Sequence, residues 1–169
     1  MLTGENKKDY RPVKIPKAKI LKETLVHKLY LDADVVINVP VLKDHGATRM
    51  TSALKNLMGV VWDRRYWHRA GLNQCIADFP LSRKPDLTVI DAYRVMMRRG
   101  PQGVSLKDVV LKEMQIISPD ILLADTAASK VLGVKPSSLP SLTMAKAHGY
   151  GSMDLEKSKV ERINLKKSK

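Results

Sequence analysis

The chain has 169 residues, 44% of them hydrophobic and only 5% aromatic, with a formal charge of +13 from 30 Lys and Arg against 17 Asp and Glu. That length and apolar content suit one globular domain whose core rests on aliphatic side chains, the composition of helices layered on a sheet. One cysteine, Cys75, excludes an intrachain disulfide and any four-cysteine zinc site or iron–sulfur cluster built from this chain by itself, and no apolar run approaches the roughly 20 residues that span a bilayer.

The charge is unevenly spread. Residues 1 to 29 hold eight basic and three acidic residues and residues 152 to 169 hold six and three, so much of the excess reads as two solvated, polar ends. The expected organisation is a polar N-terminal segment with edge strands over residues 1 to 31, an α/β core over residues 32 to 151, and a basic C-terminal tail over residues 152 to 169. The polar start, with no signal-like stretch, predicts a cytoplasmic protein, or an exported one if a targeting segment precedes it.

Val13-Lys14-Ile15 and Lys19-Ile20-Leu21 alternate as short strands do, and Pro12 and Pro16 confine them to a sheet margin. Residues 27 to 31 fit one helical turn. Residues 35 to 39, Val-Val-Ile-Asn-Val, predict a fully buried strand that ends at Pro40 in a loop carrying Lys43, Asp44 and His45. Met50, Leu54, Leu57, Met58 and Val61 recur at helical spacing, so residues 51 to 60 predict a helix with Gly59 near its end. Thr51 and Lys55, four apart, share one face near its start.

Residues 62 to 69 form an aromatic and basic cluster. Beyond it, Leu72, Cys75, Ile76 and Phe79 follow the i, i+3, i+4, i+7 pattern, with Asn73, Gln74 and Asp78 opposite and Pro80 as the stop, which turns Cys75 toward the core. A second buried strand spans residues 87 to 91 and ends in Asp91. A basic, turn-rich loop follows over residues 92 to 105, then a third strand over residues 109 to 117. Ser118-Pro119-Asp120 caps a helix that Gly133 closes, and residues 142 to 148 predict a short last helix. This alternation argues for an α/β fold: a layered, largely parallel sheet flanked by helices.

In such sheets ligands bind beyond the carboxyl ends of the strands, where loops and helix starts converge. There the candidate ligand-binding residues are Asn38, Lys43, Thr51, Lys55 and His68, and the candidate catalytic residues are His45, Asp91 and Asp125. Lys43, His45 and Lys55 suit an anion such as a phosphate or carboxylate, and Asp91 and Asp125 suit a base or an orienting partner for His45. Each also has a plain structural use, as a solvated lysine or a turn-forming aspartate. No HxH or HxxxH pair defines a metal site. Arg64, Arg65, Trp67, His68 and Arg69 are the local case for nucleic acid, but no nucleic-acid motif accompanies them, so a small anion ranks ahead.

Asn38-Val39-Pro40-Val41-Leu42-Lys43-Asp44-His45 and Thr51-Ser52-Ala53-Leu54-Lys55-Asn56-Leu57-Met58-Gly59 resemble the signature of the prokaryotic domain of unknown function 362 family. Lys84-Pro85-Asp86-Leu87-Thr88-Val89-Ile90-Asp91 and the stretch from Asp120 through Asp125 to Gly133 are similar to its later blocks, so the resemblance runs over residues 32 to 151. It implies no established activity. Its members are often fused to ferredoxin-like cysteine modules and some carry twin-arginine signals, which implies a redox setting, but the cysteines for a cluster are absent here. The family's further strand and helix region before the Asn-Val-Pro block is reduced here to a short stretch, which implies a protein partner or a second copy to complete the sheet. Asp120-Ile121 stands where the family has Asp-Pro.

Overall fold

The structure, a computed structural model, describes residues 6 to 165. It opens with an antiparallel hairpin of β1 (Tyr10–Lys14) and β2 (Glu23–His27), in which Tyr10 lies opposite His27 and Lys14 opposite Glu23. No strand forms at Lys19-Ile20-Leu21. The Ile20 and Leu21 amides are donated instead to the Asp78 carboxylate, at 2.8 and 3.0 Å, so a side chain takes the place of a sheet neighbour. Helix α1 (Lys28–Asp32) supplies the expected turn, with His27 Nδ1 accepting from the Leu29 amide.

The second sheet is built from β3 (Ile37–Asn38), β4 (Val41–Lys43), β5 (Leu87–Met96) and β6 (Val109–Ser118). Both β3 and β4 run parallel to β5, with Ile37 opposite Leu87 and Val41 opposite Asp91. They act as one edge strand broken at Val39-Pro40, where proline has no amide to give but its carbonyl accepts from Asp91 N at 2.9 Å. On the other side of β5, β6 pairs antiparallel over its whole length, apart from one irregularity between Ala92 and Arg94. The fold is α/β, and its sheet is mixed: parallel at one edge of β5, antiparallel at the other.

Helices cover one face. They are α2 (Ala53–Asn56), which runs on into a 3-10 turn to Val60, then α3 (Arg64–Ala70), α4 (Leu72–Asp78), α5 (Ile121–Val131) and α6 (Pro140–His148). Most of the basic cluster at residues 62 to 69 lies on α3, which Asp63 caps and fully buried Trp67 anchors. As predicted, Asp120 caps α5, accepting from the Leu122 and Leu123 amides, and Gly133 turns left-handed after it.

Two expectations change. The run at residues 35 to 39 is not fully buried: Ile37 and Val39 are 55% and 60% exposed while Asn38 and Pro40 are buried, so one face of this edge strand is open. Strand β5 also extends to Met96, leaving a shorter loop over residues 97 to 105.

The third change concerns α4. Gln74 and Asp78 face inward with Cys75, because Asp78 meets the loop before β2 on one side and α6 on the other. His148 Nε2 and Gln74 Nε2 both lie 2.7 Å from Asp78 Oδ1, while its Oδ2 takes the two loop amides. Burial pushes the Asp78 carboxyl up, but the hydrogen bonds from Leu21, Ile20 and Gln74 outweigh it and hold the group below the usual carboxylate range. A depressed folded value gives stability that is present above the unfolded pKa and lost as pH falls through the folded one. Asp78→Ala strands the buried Leu21 amide and the partly buried Ile20 amide and should cost about 2–4 kcal/mol in urea denaturation. The gap between wild type and variant should narrow as the pH is lowered below about 4.

Candidate functional site

The site begins where β4 ends. Lys43 N donates to Thr51 O at 3.1 Å and Thr51 N to Lys43 O at 2.8 Å, which closes residues 44 to 50 into a tight loop. Inside it, His45 Nδ1 accepts from the amides of Ala47 and Thr48, at 3.1 and 3.3 Å, and Arg49 adopts a left-handed φ of 61°. A ring nitrogen that accepts carries no proton, so the neutral ring bears its hydrogen on Nε2. Burial lowers the His45 pKa first, then Lys55, His68 and Lys43 lower it further, against an opposing pull from Asp44.

Those neighbours define the cluster. Lys43 leaves β4, Lys55 lies on α2, and His68 sits in the last turn of α3, so three elements bring these side chains toward the loop of His45. The Lys55 ammonium is half-buried, and burial followed by Lys43 lowers its pKa. Among the described residues none of Lys43, Lys55 and His68 closes an ion pair.

Two of the other candidates build the scaffold under this cluster. Asn38 is buried on the helix-covered face of the sheet, donating from Nδ2 to Ala53 O at 2.9 Å and accepting from Asn56 Nδ2 at 2.8 Å. Asp125, 2% exposed, reaches from α5 and accepts from the Ala53 and Leu54 amides at 2.7 and 3.0 Å. They hold α2 by its backbone, which sets where Lys55 stands. Thr51 contributes its backbone to the loop closure, and its hydroxyl is buried without a partner among the described residues.

Asp91 stands apart. Its carboxylate accepts from Tyr93 N at 2.9 Å and does not figure among the charges that act on His45. Its place opposite Val41 puts it on the sheet face away from the helices, because side chains alternate and its neighbours Ile90 and Ala92 are the buried ones. His148 is likewise committed elsewhere, to Asp78. Among the described residues, no group of three or more His, Cys, Asp or Glu is placed to hold a metal ion.

A second loop leans on the first. Gly100 N donates to Asp44 Oδ2 at 2.9 Å and Gly46 N to Gly100 O at 3.2 Å. The loop's frame is Asp108, almost fully buried, which accepts from Val104 N, Ser105 N and Arg98 Nε and lies 3.8 Å from Arg99. Composition does not single out Asp108 as important, yet the Ser105-x-x-Asp108 spacing is a capping-box pattern and was readable as one.

A family model for the domain of unknown function DUF362 matches residues 1 to 130, more than three-quarters of the chain. The chain belongs to the DUF362 family. A relative in Synechocystis sp. (strain ATCC 27184 / PCC 6803 / Kazusa), thylakoid-associated protein sll1697, is 31% identical over 120 residues, covering 66% of this chain and 36% of that protein. The chain thus spans about a third of that relative's length. No solved structure matches. The sequence blocks that resemble DUF362 meet around α2: Asn38 clamps it through Ala53 and Asn56, Asp125 caps it, Lys55 lies on it, and Lys43 ends the neighbouring β4.

Two outcomes test this geometry. A side chain at position 100 would place its Cβ 1.8 Å from Asp44 O, so Gly100→Ala should cost about 1–3 kcal/mol and speed amide exchange at Gly46 and across residues 97 to 105. Burial pushes the Asp125 carboxyl up to about 6, against hydrogen bonds from Leu54 N and Ala53 N. A raised folded value makes its contribution greatest below the unfolded pKa, lost as pH rises to the folded one, and constant beyond. The stability difference between wild type and Asp125→Asn, followed by urea midpoints, should therefore shift by at most about 3 kcal/mol between about pH 4 and about pH 7 and then level off.

Proposed function

We propose that this DUF362 chain binds a small anionic metabolite or cofactor, carrying a phosphate or carboxylate, at the Lys43–His45–Lys55–His68 cluster. The observation that carries the reading is the convergence of these groups from three elements with no ion-pair partner among the described residues. The two ammonium groups of Lys43 and Lys55, drawn together on partly buried residues, raise the energy of the empty site, and an anion would lower it by pairing with both. In this reading Lys43 and Lys55 hold the charge and His68 lines the approach. His45, with Nδ1 occupied by the loop amides, offers its Nε2 proton to the anion or to a group attached to it. Asn38 and Asp125 act as positioning residues through α2.

The thylakoid association in the name of the Synechocystis relative supports a second reading, docking to an acidic surface or protein partner through the basic exterior. The two separate in one titration. Sulfate keeps its charge across neutral pH, so calorimetric titration with sulfate and pyrophosphate reads the protein's own groups. Under the ligand-site reading sulfate binds more tightly as the pH is lowered, because the anion favours the charged form of Lys55, which burial and Lys43 disfavour in the empty site. Lys55→Ala weakens sulfate and pyrophosphate about tenfold or more, and Lys43→Ala with Lys55→Ala abolishes the response. Equal binding by wild type and the double variant would overturn the reading and leave the docking one.

A further inference from the structure

The sheet of β3 to β6 has helices on one face only, and the other is apolar. Val39 and Ile117 are 60% and 61% exposed, at the two margins of that face, and Val41 and Tyr93 are each 49% exposed. Parallel strands are ordinarily covered on both faces, and exposed contiguous apolar surface marks an interaction site. Asp91 and Arg94 stand within this surface. Asp91 lies opposite Val41 and Gln115, and three residues on, Arg94 spreads over the Tyr93 ring at 6.0 Å. The irregularity between Ala92 and Arg94 shifts the alternation, so that Tyr93 and Arg94 are both exposed while Val95 returns to the core. Neither Asp91 nor Arg94 closes an ion pair among the described residues.

We infer that this face is the interface of a homodimer, two copies packing their open sheets across a two-fold axis with Asp91 of each opposite Arg94 of the other. The charge pattern selects a second copy over other occupants. Interfaces about a two-fold axis must be self-complementary, and one acid beside one base on an apolar ground satisfies that condition. Elsewhere the chain carries a net +13, so two copies repel over most of their surfaces. Here Asp91 and Arg94 offer opposite signs to each other across the axis, which lets the copies approach. An acidic partner would be drawn to the lysine-rich end instead. Sheets stacked this way sit about 10 Å apart, close enough for the apolar rows to interdigitate.

Sedimentation velocity over a concentration series, from micromolar upward, tests the interface on the full chain. The expected species is a dimer. Val39→Asp, at a position exposed in the single chain, should keep the native circular dichroism spectrum and weaken association at least about a hundredfold. Asp91→Arg and Arg94→Asp should each weaken it about tenfold, and the double charge swap should restore it. A monomer at every concentration would overturn the inference in favour of a cover supplied by another segment or protein. A dimer indifferent to Val39→Asp, or single and double charge variants that behave alike, would overturn it equally.

Discussion

The short helix α2 depends on one buried carboxylate. Asp125 reaches across from α5 and binds the two amides at the start of α2, at 2.7 and 3.0 Å, in a place with almost no access to water. A helical piece of four residues cannot hold its own geometry, since the cost of its first turn is scarcely repaid by its few internal bonds. Its position must be imposed from outside. Asp125 imposes it from one side and Asn38, bonded to Ala53 O and Asn56, from the other. Lys55 rides on this piece, so the placement of the cationic cluster follows from two polar side chains that touch no ligand.

That arrangement has a cost. Asp125 is held ionised at neutral pH against the pull of burial, and Lys55 and His45 are held near one another and near Lys43. Each works against the preference of a buried or crowded group for its neutral form. The neighbouring loop is secured independently, by Asp108 within it and by the close approach of Gly100 to Asp44. A second buried aspartate repeats the device. Asp78 gathers two loop amides, Gln74 and His148 at a point where α4, α6 and the segment before β2 meet. Buried aspartates, each spending both oxygens on backbone or side-chain donors, thus join parts of the chain far apart in sequence.

Sheet and site are related through the alternation of side chains. Along β3, β4 and β5 one set of residues, including Asn38, Leu42, Thr88 and Ile90, turns to the helices, and the other, including Val39, Val41 and Asp91, turns away. Asp91 and Lys43 leave neighbouring strands but belong to different environments for that reason. The same alternation produces the open face, because a run such as Val35 to Val39, apolar but for Asn38, reads alike whether one face or both are covered.

Much of the fold was legible from the chain. The ends of α5, the strand at residues 109 to 117, the inward turn of Cys75 and the α/β class follow from apolar spacing and from capping residues, which act over three or four positions. The grouping of Lys43, His45 and Lys55 was legible too, since they crowd one strand end and the next helix. Distance along the chain hid the rest. Gln74 and Asp78 look like a solvated helix face until α6 and the loop at Ile20 fold onto them, and Asp125 looks like a free carboxylate until α2 docks 70 residues away. By itself the sequence determined which residues carry charge and which local elements form, because those depend on neighbours in the chain. Which carboxylates are buried, which cations meet, and which face of the sheet stays open were decided only by tertiary contacts, because burial and Coulomb interaction depend on distance in space.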